Sequence, residues 1–496
     1  MRLLWLALVL TAAAVAAPLN DSAALVVDAV EQQDSARVVE LIEEGADVNA
    51  PQVDGTTAIH WAAYNNDLPA GKLLIDAGAS VNEENRYGVM PLTPAIISGA
   101  DDLVELLLEQ GADPNRPLEG GETPLMTASR VGSVRAVKAL LARGADVSAT
   151  EDQGQSALMW AAAEGHAQAV RALLDAGADS SVRVKSGFTA FLFAVRQGRL
   201  DVVRLLLDDG SSPNEKIETI LMGRRLSREG PSYPGEGMSA LLISATNQHF
   251  ELGAALLEAG ADPNATVGGY TTLHKIPSVR HPGVGDNSPS PEGSGNMSSL
   301  EFVRALVKHG ADIDYRTTEK VRLGNTRLNK LGATPYFLAA HAADVELMRL
   351  LVELGADPSI RSDEGATALM AAAGLGTRSP GEDAGTEEEV LEALKTALEH
   401  GADVNTVDSH GETAMHGAAY KNHPMAVQFL ADHKADIKIW HRKNEWGWTP
   451  LEIAEGYRFG NFKPSPVTID ALRRVMTAAG VDPDVKLGKA ETHQIY

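Results

Sequence analysis

The residues most able to bind a metal gather near the C-terminal end of the sequence. Five of the fourteen histidines fall in one stretch, namely His410, His416, His423, His433 and His441. Zinc sites use histidine and cysteine ligands, commonly as closely spaced local pairs. No two of these histidines form such a pair, and the sequence has no cysteine. We therefore expect no metal site here.

A second set of possible ligands is an Asp-x-Asn pattern, which is similar to the start of a calcium-binding loop. Such a loop needs a glutamate as its twelfth residue for bidentate ligation. The twelfth residue is alanine when counted from Asp47 or Asp403, and leucine when counted from Asp262. We expect neither calcium nor another cofactor.

Catalytic motifs are also absent from the sequence. It has no H-E-x-x-H, no G-x-S-x-G, no phosphate-binding loop and no dinucleotide fingerprint. We therefore predict a protein that is not an enzyme. The alternative is an active site built from insertions in the C-terminal half, which would need acid, base or nucleophilic groups converging in one pocket.

Aromatic residues recur at one position and suggest surface contact sites. The residues spaced 33 apart at this position are Trp61, Pro94, Thr127, Trp160 and Phe193. Tyr64 and Ile97 lie one helical turn beyond the first two. Large aromatic side chains on a binding surface are typical hot spots, but the same rings could simply pack between neighbouring helices.

Basic residues form another set, in a chain whose formal net charge is −24. They are Arg183, Lys185, Arg224, Arg225, Arg228, Arg316, Lys320, Arg322, Arg327, Lys330, Arg442 and Lys443. Arginine can make bidentate contacts with carboxylates or phosphates, so these residues could grip an acidic partner, or they could be ordinary solvated loop residues. Trp440, Trp446 and Trp448 flank the last two basic residues and add aromatic surface.

The elements that position these residues are repeats of about 33 residues. Gly-Ala-Asp or a close variant stands at Gly45, Gly78, Gly111, Gly144, Gly177 and Gly210. An apolar pair precedes nearly every one, and a block such as Thr123-Pro124-Leu125 follows about twelve residues later. The period and these marks resemble the ankyrin repeat over roughly residues 20–484.

The resemblance implies an all-α solenoid of about twelve helix-turn-helix units with short hairpin fingers. It also implies that the helix face carrying Trp61 and Trp160 forms a concave binding surface together with the fingers. His416 stands at the Thr-x-x-His position of its repeat, as His60 and His274 do, where the family resemblance implies a structural hydrogen bond between turns.

The chain divides by the regularity of its repeats. Residues 20–214 are predicted to hold an N-terminal cap and regular repeats, and residues 215–484 to hold repeats with insertions and a C-terminal cap. The insertions at 215–236 and 316–332 fall on the finger edge, and those at 277–298 and 374–388 fall between the helices of a repeat, on the opposite edge. We expect the latter two to be cut first by proteases. Residues 485–496 are predicted to be a disordered tail.

The first residues differ from the rest in composition. Arg2 precedes an apolar run and small residues up to Ala16, which is typical of a secretory signal peptide over residues 1–16. An uncleaved anchor is the alternative. We expect a periplasmic or secreted protein without disulfides and without a membrane span after cleavage.

Together these features predict a non-catalytic, monomeric scaffold that binds a protein partner, which could have an acidic surface. The acidic charge disfavours nucleic acid as a partner. The predicted contact residues are Trp61, Tyr64, Trp160, Phe193, Arg224, Arg225, Arg322, Arg327, Trp440 and Trp446. Besides an enzyme, a secreted effector acting on a host remains an alternative.

Overall fold

The computed structural model describes residues 25–218, 237–283, 291–319, 326–460 and 463–485. These residues form α-helices joined by turns, with four isolated β-bridges and no β-strand among them. The all-α prediction is therefore confirmed. The expected signal peptide, residues 1–16, and all but the first residue of the expected tail lie outside the described residues.

The helices follow one another in pairs, and each pair is one repeat. The first ten are α1 (Leu25–Glu31), α2 (Ser35–Glu43), α3 (Ala58–Tyr64), α4 (Leu68–Asp76), α5 (Leu92–Ile97), α6 (Asp101–Glu109), α7 (Pro124–Val131), α8 (Val134–Ala142), α9 (Ala157–Glu164) and α10 (Ala167–Asp175). They belong to a first compact unit, which extends to Lys185 and includes Thr189–Phe191. Within it α1, α3, α5, α7 and α9 pack in succession, as do α2, α4, α6, α8 and α10.

The remaining helices belong to a second compact unit, Ser186–Phe188 and Leu192–Tyr496, except that the division falls inside α11. They are α11 (Ala190–Arg196), α12 (Leu200–Asp208), α13 (Ala240–Thr246), α14 (Phe250–Glu258), α15 (Thr272–Arg280), α16 (Ser299–Lys308), α17 (Pro335–His341), α18 (Val345–Glu353), α19 (Ala368–Ala372), α20 (Glu387–Glu399), α21 (Ala414–Lys421), α22 (Pro424–Asp432), α23 (Ile437–Trp440), α24 (Pro450–Ala454) and α25 (Pro466–Ala478). With α23 as a single turn inside a finger, the other helices of the described residues make twelve pairs.

Repeat sequences explain where the helices begin and end. The Thr123 hydroxyl accepts a hydrogen bond from the Met126 N–H at 3.3 Å, and Pro124 fits the first helical turn. Gly177 has a φ of +90° and an added Cβ would touch nothing within 4 Å, so glycine is needed there for its backbone conformation alone. Val202, Val203 and Leu206 are buried along one face of α12.

The Asp-x-Asn pattern joins successive finger turns by hydrogen bonds. Asp47 accepts a hydrogen bond from the Asn49 N–H at 2.9 Å. The Asn49 amide donates to the Gly78 carbonyl at 3.0 Å and accepts from the Ser80 N–H at 2.7 Å. Asn82, Asn115, Asn214 and Asn264 bond to their next turns in the same way. These asparagines form what we call the finger ladder.

Two insertions that were predicted on opposite edges meet in the second unit. The Arg327 N–H donates to the Gly376 carbonyl at 2.8 Å, and the Thr326 hydroxyl donates to the same carbonyl at 3.0 Å. The described end of the 316–332 insertion thus contacts the start of the 374–388 insertion, just after α19. We call its described segment 326–332 the strap.

The insertions between helices are also better packed than expected. α15 continues through Pro277 to Arg280, and Ser294 bonds to His249 at 3.1 Å. In the 374–388 insertion, the Lys421 amine donates to the Ala384 carbonyl at 2.7 Å, and an added Cβ on Gly376 would lie 2.5 Å from the Leu328 nitrogen. These contacts hold parts of both insertions in place, but Pro291, Glu292, Gly381 and Glu382 are exposed, so early cleavage in the two insertions stays a prediction.

Candidate functional site

The first helices of the first unit expose an aromatic and apolar surface. Trp61 is half-buried, whereas Tyr64 and Ile97 are 47% and 48% exposed. The rings of Trp61 and Tyr64 meet edge to face, with centroids 5.6 Å apart. The Trp61 indole N–H donates to the Gln52 side-chain oxygen at 3.0 Å, which fixes the ring. We call Trp61, Tyr64 and Ile97 the first-unit surface.

Acidic groups border this surface on one side. The Gln52 amide donates to the carboxylates of Asp28, at 3.0 Å, and Glu31, at 2.7 Å. Because Gln52 also holds Trp61, the ring and the two carboxylates form one hydrogen-bonded group. The arrangement offers apolar contact area next to negative charge.

Trp160 and Phe193 are more enclosed than the first-unit surface. Trp160 is half-buried, and its indole N–H is buried with no hydrogen-bond partner among the described residues. In the second unit, Phe193 is buried, packs against Phe188, and lies under the Arg196 guanidinium at 5.1 Å. Packing thus accounts for Phe193, as one of the two interpretations of the sequence proposed.

The basic residues of the fingers are mostly engaged where the structure describes them. Arg316 pairs with Asp363 at 2.6 Å, and Lys443 lies 3.7 Å from Glu452. Lys330 is almost fully buried, and burial lowers its pKa to about 8. Arg224, Arg225 and Arg322 lie outside the described residues.

Trp440 does not belong to an exposed binding surface. Its side chain is only 2% exposed, and its indole N–H donates to the Ala435 carbonyl at 3.3 Å. The prediction placed it in an open finger, but α23 turns the ring into the interior. Trp440 therefore contributes to the core of the last finger.

The last finger brings Trp446 together with Arg327 and two other rings. The Arg327 guanidinium carbon lies 3.5 Å from the centre of the Phe459 ring and 5.4 Å from that of Trp446. Phe459 stands nearly perpendicular to Trp446, with centroids 5.6 Å apart, and lies 4.9 Å from Trp448. The sequence did not predict this cluster because Arg327 and Phe459 are 132 positions apart.

A buried hydrogen-bond network holds the turn that carries Trp446 and Trp448. Asn444 donates its side-chain N–H to Glu412 at 2.8 Å, and its side-chain oxygen accepts from the Trp448 N–H at 2.9 Å. The Tyr420 hydroxyl donates to Glu412 at 2.8 Å. Burial raises the pKa of Glu412 to about 7 despite these two donors.

His410 links three finger turns beside this network. Its imidazole contacts Glu445 and lies 3.2 Å from Glu364, and its ring stacks on Trp446 with centroids 5.3 Å apart. Partial burial lowers the pKa of His410, but the two carboxylates outweigh it and the pKa is raised overall. His410 thus forms an ion-pair cluster with Glu364 and Glu445.

His416, another histidine of the candidate metal set, has a structural role. His416 faces the Thr413 hydroxyl at 3.1 Å as part of a capping box, and burial lowers its pKa to about 3. His60 and His274 bond the same way and reach the next finger through Val89 and Tyr315 carbonyls. Among the residues that the structure describes, no group of three or more histidine or carboxylate side chains is arranged to hold a metal ion.

No described helix is long and apolar enough to cross a membrane.

Comparison with known proteins identifies the repeats. A family model that describes three consecutive ankyrin repeats matches residues 26–117, 125–217 and 384–462, and a single-repeat model matches residues 331–363. The first model alone therefore covers more than half of the chain.

Curated relatives share these repeats over part of their lengths. A palmitoyltransferase AKR1 of Lachancea kluyveri is 30% identical over 31% of this chain and 18% of its own length. The human ankyrin repeat and SOCS box protein 6 is 28% identical over 38% of this chain and 42% of its own. The mouse ankyrin repeat and SOCS box protein 16 is 32% identical over 43% and 46%. The matches thus span less than half of each of these relatives.

Proposed function

Because this chain belongs to the ankyrin-repeat family, whose repeats form protein-interaction scaffolds, we propose that it is a non-catalytic protein that binds a partner protein through the first-unit surface. The observation that carries the proposal is the exposure of Tyr64 and Ile97 beside the fixed Trp61 ring. A preformed surface loses little conformational entropy on binding, so a few aromatic contacts can supply useful affinity.

The experiment compares capture of a partner by the full chain and by a Tyr64→Ala, Ile97→Ala double variant. We expect the variant to lose at least about tenfold in affinity, which corresponds to about 1.4 kcal/mol. Val39→Ala is the matched control, because Val39 is a similarly exposed apolar residue on α2. Equal capture by wild type and double variant would contradict the proposal.

Trp61→Ala separates contact from packing at the same surface. If Trp61 is a contact residue, the variant loses affinity with little change in the free energy of unfolding. A large loss of stability with unchanged affinity per folded molecule would assign the ring to packing instead.

An acidic partner would have to be recognised elsewhere. The described finger cations Arg316 and Lys443 are next to carboxylates, so recognition of an acidic surface would fall to other cations of the predicted set, among them Arg224, Arg225 and Arg322. Reversing the charge of these three arginines should slow association, and the effect should shrink as salt rises, because ions screen exposed charges. An association rate insensitive to both changes would remove acidic partners from the proposal.

The enzyme alternative has its best support in the second unit. Glu412, Tyr420 and Asn444 combine an acid of raised pKa with two hydrogen-bonding groups. All three side chains are nearly fully buried and bond to one another. Such a set supports a structural network better than a site that a substrate enters.

Export remains part of the proposal. Cleavage after Ala16 would place the protein outside the cytoplasm, where the absence of cysteine fits a fold without disulfides. Sequencing the N-terminus of the native protein should give Ala17 as the first residue. A native chain that keeps Arg2 would contradict this.

A further inference from the structure

The cluster at the last finger has the geometry of an aromatic cation site. The Trp446 and Phe459 rings stand at 89° to each other, and the Arg327 guanidinium lies over both. Trp448 packs behind them, 6.2 Å from Trp446 and 4.9 Å from Phe459. Cations bind over aromatic rings within about 6 Å of the centroid, because the ring faces carry negative charge density.

Arg327 is held by the rings rather than by a carboxylate. Within the described residues its guanidinium makes no ion pair and no hydrogen bond, whereas Arg316 of the same insertion pairs with Asp363. Only the backbone of Arg327 is hydrogen-bonded, to Gly376. The Arg327 side chain therefore depends on the rings of Trp446 and Phe459 for its position.

Hydrogen bonds hold the backbone segments that carry the three aromatic rings. Asn444 closes the turn that carries both tryptophans, through its bonds to Trp448, and is itself tied to Glu412. The neighbouring Arg458 donates to the Tyr420 carbonyl at 2.5 Å, which anchors the segment that carries Phe459. A site whose walls are fixed independently of Arg327 can keep its shape when Arg327 leaves.

We propose that Trp446, Phe459 and Trp448 form a binding cage for an organic cation, and that Arg327 occupies it as an internal ligand. The ligand class is a guanidinium or quaternary ammonium group carried by a partner, which competes with Arg327 for the rings. When Arg327 leaves, the strap loses one of its side-chain anchors and keeps others, such as the Asn329 bond to Glu364 at 2.6 Å, and its backbone bond to Gly376 opens more often. The cage is thus also the latch of the strap, and it lies in the second unit, apart from the residues of the proposed partner surface.

The test uses the full chain labelled with fluorinated tryptophan. The signals of Trp446 and Trp448 are assigned with Trp446→Phe and Trp448→Phe variants. Wild type and Arg327→Met are titrated with tetramethylammonium chloride, or with methylguanidinium chloride, against sodium chloride at equal ionic strength. Methionine keeps a long apolar stem but removes the charge, so the variant lacks the internal cation with little loss of packing.

We expect saturable shifts of the Trp446 signal in Arg327→Met, with an affinity at least about tenfold higher than in wild type. Arg327→Lys, which keeps a cation, should lie between the two. Arg361→Met, which removes an exposed arginine, should behave like wild type. Adding Trp446→Leu to Arg327→Met should abolish the binding.

Two results would overturn the proposal. One is the absence of saturable binding in Arg327→Met while the Trp446 and Trp448 signals stay dispersed as in a folded cage. The other is equal affinity in wild type and variant. Hydrogen exchange tests the latch: the amides of 326–332 should exchange at least about tenfold faster in Arg327→Met, with α6 and α8 unchanged, and an unchanged rate in the strap would remove that role.

Discussion

Tyr64 and Tyr420 occupy the same position of their repeats, seven residues after the threonine that begins the first helix. Tyr64 is 47% exposed and meets Trp61 edge to face, whereas Tyr420 is 3% exposed and donates to Glu412. All eight residues of α21 are buried, while α3 leaves Trp61 and Tyr64 open. The same repeat position therefore becomes surface or interior according to whether insertions lie over the first helices.

The largest expected difference in unfolding free energy is between the Tyr420→Ala and Tyr64→Ala variants. Tyr420→Ala should cost about 3–5 kcal/mol of unfolding free energy, as for other large buried rings, because it leaves a cavity and removes a donor to Glu412. Tyr64→Ala should cost about 1 kcal/mol or less, since an exposed ring loses little. Urea unfolding of both variants measures the difference. Similar losses at the two positions would break the comparison.

Glu412 should make the second unit sensitive to pH. Its folded pKa of about 7 lies above the usual value of 4.5, so the folded state holds the proton more tightly than the unfolded state. The stability contributed by this group is therefore present below about pH 4.5 and lost as pH rises to about 7, by at most about 3 kcal/mol.

Glu412→Gln should remove that loss, because glutamine carries no titrating proton but can still accept from Tyr420. Unfolding free energies at pH 5 and pH 8 measure it. Glu109→Gln, an exposed change on α6, is the control and should keep the pH dependence of wild type. An unaltered pH dependence in Glu412→Gln would assign the effect to other groups, such as Asp408, whose pKa burial also raises.

Two glycines compare the strap with an open turn. Gly376 and Gly111 have φ of +77° and +87°, so alanine is strained at both, by about 1 kcal/mol. At Gly111 an added Cβ touches nothing, but at Gly376 it would lie 2.5 Å from the strap backbone at Leu328. Gly376→Ala should therefore cost about 1–3 kcal/mol more than Gly111→Ala. Equal costs in thermal or urea unfolding would mean that the strap moves aside freely.

The smallest expected effect concerns the finger ladder, which should be the same in both units. Asn82 donates to Gly111 at 2.9 Å, and Asn264 donates to Gly310 at 2.8 Å. Replacing either by alanine removes two exposed hydrogen bonds and should cost about 1 kcal/mol. A clear difference between Asn82→Ala and Asn264→Ala would show that an insertion alters the ladder.

The sequence predicted the repeats well because their signals are local. Helix caps, terminal glycines and the Thr-x-x-His bond depend on residues a few positions apart, and the structure has them where expected. The last described helix, α25, lies at the end of the region in which the C-terminal cap is predicted.

The candidate site was predicted less well because it depends on contacts between distant insertions. Trp440 and Trp446 are six residues apart, yet one is buried and the other lines the cage. Nothing in their spacing distinguishes them, because α23 turns Trp440 into the interior while the strap brings Arg327 to Trp446.

The finger ladder has a further consequence for how such a chain can diversify. The two bonded residues are 29 positions apart from Asn82 to Gly111 and 46 apart from Asn264 to Gly310, yet the bond is the same. The bonds of the finger ladder thus fix the distance between successive turns, whatever the number of residues between them. New segments can be gained or lost between rungs while the frame keeps its register, so the insertions are the part of this molecule in which new specificity can evolve or be engineered.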